Sequence, residues 1–178
     1  MKKNLSQYKV AVLLAFFEGE EFFDEQINSI LSQSHNNIEI WISDESRDKE
    51  KSKKFLLKYI NNNSVDIFLI DGPGKGCSRN FLYLACNKSI KADFYAFSDQ
   101  DDIWETNKLS EGLNELLKFD SNVPSLFGSR TIIIDKHNDQ KGFSPLVKRK
   151  LAFVNAAVQS FAGGNTMIFN QSARKLLM

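Results

Sequence analysis

The sequence predicts an α/β fold, a mainly parallel sheet with helices on both faces. Two observations carry this. Strand-like and helix-like stretches alternate four times in the first 120 residues, the pattern of successive β-α-β crossovers. The first of those strands, residues 9–17 (KVAVLLAFF), is apolar without interruption, as a strand covered on both faces must be.

The elements follow in order. Residues 1–8 form a polar lead, and the strand at 9–17 stops at Glu18-Gly19-Glu20-Glu21. Apolar residues at 22, 23, 27, 30 and 31 have helical spacing and predict a helix over 22–34. Residues 38–42 alternate as a second strand. After a polar loop, 49–60 reads as a helix burying Phe55, Leu56, Tyr59 and Ile60, with Lys49, Lys51, Lys53 and Lys54 on a solvated face. Residues 61–64 make a turn, 65–70 a third strand, 77–91 a helix and 93–98 a fourth strand. A helix over 107–119 turns Leu109, Leu113, Leu116 and Leu117 inward. A β-branched strand at 125–134, a polar loop at 135–147 and a helical stretch over 148–161 follow. Gly163-Gly164-Asn165 breaks the chain before a short strand at 166–169 and a last helix at 171–178. With no repeat, linker or low-complexity segment, residues 1–178 read as one domain.

Composition narrows the function classes. At 42% hydrophobic and 25% charged, the chain has the balance of an ordinary globular protein. A net charge of +1 gives no electrostatic case for nucleic acid. Fifteen Phe imply a bulky aromatic core. Cys77 and Cys86, with no metal-spaced His or third Cys, read as free thiols of a reducing cytoplasm. The N-terminus lacks a signal peptide's apolar region, and no run reaches the ~18 apolar residues that span a bilayer. A cytoplasmic protein is expected, one able to rest on the inner face of the membrane. His35, at a helix end, is expected to cap or face solvent.

The stretch with most chemistry is Phe97-Ser98-Asp99-Gln100-Asp101-Asp102-Ile103-Trp104, at the end of the fourth strand. Three carboxylates within four positions repel one another unless a cation compensates, and gathered oxygens suit Mg²⁺ or Mn²⁺. Asp99 and Asp101 share one side of an extended segment. The other reading is a solvated acidic turn, with Asp102 near the start of the next helix, where negative charge is favoured. Two more carboxylate-bearing loops, Glu18 to Glu20 and Asp44 to Asp48, also fall at strand carboxyl ends, where parallel sheets bind ligands. Asp71-Gly72-Pro73-Gly74-Lys75-Gly76 is a flexible loop without the spacing of a phosphate cradle.

These loops, in this order, carry a family resemblance. FFEGEEFFDEQINSILSQS at 16–34, IEIWISDES at 38–46, FSDQDDIWETNKL at 97–109 and GGNTMIFN at 163–170 resemble the blocks of a family 2 glycosyltransferase. The likeness is to the rhamnosyltransferase-like kind, and to its nucleotide-binding half. It implies the GT-A, Rossmann-like fold and a metal-dependent transfer of a sugar from a nucleoside diphosphate donor to a saccharide or lipid-linked acceptor, as in polysaccharide biosynthesis. By the same resemblance, Asp101 coordinates Mg²⁺ or Mn²⁺, and Asp99 shares the metal or contacts the ribose, with Gln100 between them in the donor site. Asp44 and Glu45 fall at the base-recognising carboxylates, Phe17 where a Tyr packs on the base, Glu18 beside it, and Arg79 and Asn80 where a basic side chain approaches the phosphates. A pyrimidine donor, UDP- or dTDP-sugar, is expected.

The sequence departs from the pattern in two places. Asp44-Glu45-Ser46 is one residue short of Asp-Asp-Gly-Ser, and Phe17-Glu18 replaces Tyr-Asn. The acceptor-side half and its catalytic base are expected beyond Met178, so residues 1–178 alone should transfer sugar weakly or not at all. The alternative class is a donor-binding module without turnover. An Asp-x-Asp phosphatase fits less well, because its nucleophilic Asp follows the first strand and residues 11–17 hold none. Trp104 reads equally as core or as a wall of the donor site. Lys75 and Arg79 read as surface charges or phosphate contacts, and Gly163 and Gly164 as a turn or an approach to the acceptor.

Overall fold

The computed structural model describes residues 4–60, 65–148, 152 and 160–178. Its sheet has six strands: β1 (Val10–Phe16), β2 (Ile38–Asp44), β3 (Asp66–Asp71), β4 (Phe94–Ser98), β5 (Leu126–Phe127) and β8 (Ile168–Asn170). They stand in the order β3-β2-β1-β4-β8-β5. β1 pairs in parallel with both β2 and β4, and β2 with β3; β8 is antiparallel to β4 and β5. The chain therefore lays strands outward from β1 to β3, then returns to place β4 on the other side of β1. That reversal opens a crevice at the carboxyl ends of β1 and β4.

Every residue of β1 is buried, and the strand's alternation sorts them into two cores. Val10, Val12, Leu14 and Phe16 join Phe23, Ile27 and Ile30 of α1 (Glu20–Leu31), Leu56 and Tyr59 of α2 (Lys49–Ile60), and Leu109, Leu113 and Leu116 of α4 (Lys108–Leu116). Ala11 and Leu13 face the opposite layer with Leu84 and Ala85 of α3 (Cys77–Cys86), Tyr95 and Phe169. Helices thus cover both faces, as the uninterrupted apolar strand predicts. Phe16 and Phe23 meet edge-on at 5.2 Å between centroids, where part of the high Phe content is used.

Arg174, in α5 (Gln171–Lys175), is buried although no carboxylate among the described residues pairs with it. Its guanidinium donates to the carbonyls of Ala85, Asn87 and Ile90 at 2.6, 2.5 and 2.7 Å. It caps the negative carboxyl end of α3, which stops at Cys86 rather than running on to 91.

Three expectations fail here. The strand over 125–134 is two strands, β5 and β6 (Ile132–Ile134), in different sheets. Gly128 divides them at a crossing so close that a Cβ there would lie 2.6 Å from the Ala162 side chain. The loop over 135–147 contains β7 (Gln140–Phe143), antiparallel to β6. Arg130 and Thr131 hold that hairpin closed by donating to the Ser144 carbonyl and hydroxyl. His35 neither caps nor faces solvent: it is buried, its Nε2 lies 3.0 Å from the Tyr8 carbonyl, and burial lowers its pKa. The turn at 61–64 and most of the stretch 148–161 lie outside the described residues. No described helix is long and apolar enough to cross a membrane.

Candidate functional site

Three loops meet at the crevice. The first, Phe17-Glu18-Gly19, leaves β1 with its ring exposed: Phe17 is 44% accessible. Glu18 takes a left-handed φ of 48°, unusual for a residue with a side chain. Its N–H is held by the Ser46 hydroxyl at 3.1 Å.

The second loop follows β2. Glu45 N–H donates to the Phe16 carbonyl at 2.8 Å, tying it to the first. Asp44 is buried, and its carboxylate accepts from Ser46 N–H at 2.8 Å and from the Ser52 hydroxyl at 2.6 Å. Lys49 stands 3.6 Å from the same carboxylate and donates to the Asp44 carbonyl. Lys49 therefore serves this loop, while Lys51, Lys53 and Lys54 lie exposed as expected. Asp44 pins the loop to the start of α2. Glu45 is only half-buried, and its carboxylate accepts from Lys75 N–H at 2.9 Å. Gly72 passes so near that a Cβ would meet Glu45 Cγ at 2.5 Å.

Arg79 and Asn80 part company. Arg79 is exposed, whereas Asn80 is buried and donates to the Ser43 carbonyl at 3.1 Å, fastening α3 to the end of β2.

The third loop is the acidic one. Gln26, buried in α1, donates to the Asp99 carbonyl at 2.9 Å and to the Ser98 hydroxyl, fixing where β4 ends. Burial, then the charges of Asp102 and Asp101, raise the Asp99 pKa; burial also raises that of Asp102. Cys77 Sγ lies 3.7 Å from Asp99 Oδ1, and burial followed by that carboxylate raises the thiol's pKa. Asp101 is exposed. Asp102 does not sit at a helix start, because α4 begins at Lys108 with Asn107 as its N-cap. It accepts instead from Asn165 Nδ2 at 2.6 Å. Gln100 reaches back across the crevice, its Oε1 accepting from Phe17 N–H at 2.6 Å and its Nε2 donating to the Phe17 carbonyl at 3.0 Å.

Beyond the acidic loop lies a cavity of about 470 Å³ lined by Asp102, Trp104, Lys108, Arg130 and Asn165 among others. Trp104 is core, buried with the α4 leucines; it also lines this cavity, its ring carrying the Lys108 ammonium 3.6 Å from its centroid. Burial lowers the Lys108 pKa from 10.5 to about 7, against the opposing pull of Asp102 and Asp99. Between those values the unfolded chain binds more protons than the folded one, so stability should rise with pH through the window. The melting temperature of the protein should therefore climb from about pH 7 to about pH 9, and Lys108→Met should flatten that slope. Equal slopes in both proteins would show that Lys108 is not held as described.

Gln26, Ser46, Ser52, Lys108 and Asn165 were not singled out from the sequence as site residues. A polar residue at a core-facing helical position was the available signal for Gln26, since position 26 lies between Phe23 and Ile30 on the buried face of α1.

This mostly parallel, mixed sheet with its reversal beside β1 is the α/β arrangement of GT-A fold glycosyltransferases. TarS of S. aureus superposes with a TM-score of 0.63 at 17% identity, over 91% of this chain and 47% of that one. The mannosyltransferase PcManGT of Pyrobaculum calidifontis, solved with GDP-Man and Mn²⁺, gives 0.50 at 15% identity over 60% and 32%. The chain belongs to glycosyl transferase family 2, whose profile matches residues 11–177. Among curated relatives, the dTDP-rhamnosyl transferase RfbG of Shigella flexneri is 31% identical over 140 residues, 73% of this chain and 48% of that protein. An uncharacterized glycosyltransferase of Rickettsia conorii is 25% identical over 143 residues, 80% of this chain and 23% of that protein. The chain thus spans from under a quarter to about half the length of these relatives.

Proposed function

We propose that this chain is the nucleotide-sugar-binding part of a glycosyltransferase that uses a UDP- or dTDP-sugar and a divalent cation. A saccharide, free or lipid-linked, is the acceptor class, and rhamnose is the first sugar to try. The observation that carries the reading is the meeting of the Phe17 and acidic loops at the β1/β4 crevice, clasped together by Gln100. Phe17 offers an exposed ring for a base, and Glu45, on the loop tied to the Phe16 carbonyl, a half-buried carboxylate. Asp44, whose carboxylate is taken up by Ser46 and Ser52, acts by holding Glu45 in place.

The acidic loop fits a hard cation. Burial, and after it the charges of Asp102 and Asp101, raise the Asp99 carboxyl, the condition a cation relieves. Among the described residues, no three His, Cys, Asp or Glu side chains form a ready-made shell. Mg²⁺ needs only one or two carboxylates and completes its shell with phosphate oxygens and water. Asp99 and Asp101 would hold the ion, and when bound it supplies neutralisation of the diphosphate leaving group. Asp102, engaged by Asn165, keeps the loop's far side in place.

The base assignment has a direct test. Calorimetric titration in the presence of Mn²⁺ should give tighter binding of UDP or dTDP than of GDP or ADP. Tighter GDP binding would overturn the pyrimidine reading.

A further inference from the structure

We infer that Gln100 is a positioning residue for the nucleotide base and does not itself hold the phosphates or the cation. The inference rests on the donor-site reading above and deepens it. Although Gln100 sits between Asp99 and Asp101, both ends of its amide are spent on the backbone of Phe17: the oxygen accepts from its N–H at 2.6 Å and the nitrogen donates to its carbonyl at 3.0 Å. This is a two-point clasp across 83 residues of sequence. It fixes the backbone of the residue whose exposed aromatic ring the first loop presents.

Gly19 shows that the clasp is built in. It is buried, and a Cβ there would lie 2.2 Å from Gln100 Cδ and 2.5 Å from each end of the amide. A side chain at position 19 would evict the amide. Because the atoms struck are the far end of a flexible side chain, eviction need not disturb the strands beneath. The first loop is braced from its other side as well, by Ser46 on Glu18 N–H and by Glu45 on the Phe16 carbonyl. Releasing Gln100 therefore loosens the Phe17 backbone while leaving Glu18 attached and the Arg47 guanidinium over the Phe17 ring, 5.6 Å from its centroid.

A positioning residue and a phosphate or cation ligand predict different losses. Without the clasp, the loop must be ordered by the ligand at its own cost, so the penalty falls on whatever stacks on Phe17, with or without phosphates. Uridine and thymidine, and separately UDP and dTDP with Mn²⁺, would be titrated by NMR against wild type, Gln100→Ala, Gly19→Ala and the double variant. Melting curves would be recorded beside them. Gln100→Ala should weaken nucleoside and nucleoside diphosphate by the same factor, about tenfold, the scale of one or two hydrogen bonds. Gly19→Ala should match it, and the double variant should be no worse than either single one, because both changes remove the same clasp.

An unchanged nucleoside affinity with a loss confined to the diphosphate and Mn²⁺ would overturn the inference and make Gln100 a ligand of the phosphate side. Losses that multiply in the double variant would also overturn it, and so would unchanged affinity throughout. Failure of the wild type to bind any nucleotide would instead remove the donor-site reading on which the inference stands.

Discussion

Asp101→Asn should abolish most donor binding while leaving the fold intact. The substitution keeps the shape of the side chain but removes its charge and weakens an oxygen ligand. A cation shared between Asp99, Asp101 and a diphosphate would then be held by one carboxylate less, and the donor would lose its bridge to the protein. The expected loss of UDP or dTDP affinity with Mn²⁺ is at least ~100-fold, or about 2.7 kcal/mol. Stability should hold or rise, because the Asp101 charge is one of those that raise Asp99 and Asp102. Asp102→Asn leaves an oxygen for Asn165 to donate to and should cost less than ~1 kcal/mol in stability. Donor titrations beside melting curves distinguish the two variants. Wild-type affinity in Asp101→Asn would return the acidic cluster to a solvated turn.

The second large effect is expected on the fold. Asp44→Ala removes the acceptor shared by Ser46 N–H and the Ser52 hydroxyl, and the partner of Lys49. The buried Ser52 hydroxyl can still donate to the Lys49 carbonyl at 3.2 Å, so the main cost is the buried Ser46 N–H left without a partner, about 1–3 kcal/mol. That cost lowers the melting temperature by roughly 2–12 °C for a domain of this size. The Glu45 loop should loosen with it, so donor affinity falls too. Asp44→Asn retains one acceptor oxygen and should recover part of the stability. If Asp44→Ala melts like wild type but loses the nucleotide, Asp44 is a direct contact to the base, as its place in the family pattern implies.

What the sequence carried, and what it withheld, follows from how local each signal is. The apolar run at 9–17 needs no partner to announce a strand buried on both faces, and β1 is buried along its whole length. The leucine spacing after Asn107 likewise returns as the buried face of α4. β7 could not be read, because Gln-Lys-Gly-Phe has no alternation and forms a strand only through its pairing with β6. Within the site, the carboxylates stood out because their charges crowd within four positions of sequence. Their division of labour did not. That Asp44 is spent on Ser52, and Gln100 on Phe17, depends on contacts spanning 8 and 83 residues, which no local pattern encodes. Asn165 was visible only as part of a glycine-rich break, and its grip on Asp102 spans 63 residues.

The proposed function places the nucleotide at the carboxyl ends of β1 and β4, between the Phe17 loop and the acidic loop. Backbone amide shifts recorded by NMR during titration with UDP and Mg²⁺ test it most directly. The perturbed amides should cluster at Phe17, Glu18 and Gly19, at Glu45 and Ser46, and at Asp99 to Asp102. Perturbations gathered at the opposite end of the sheet, around Lys88, Lys91 and Arg174, would contradict it.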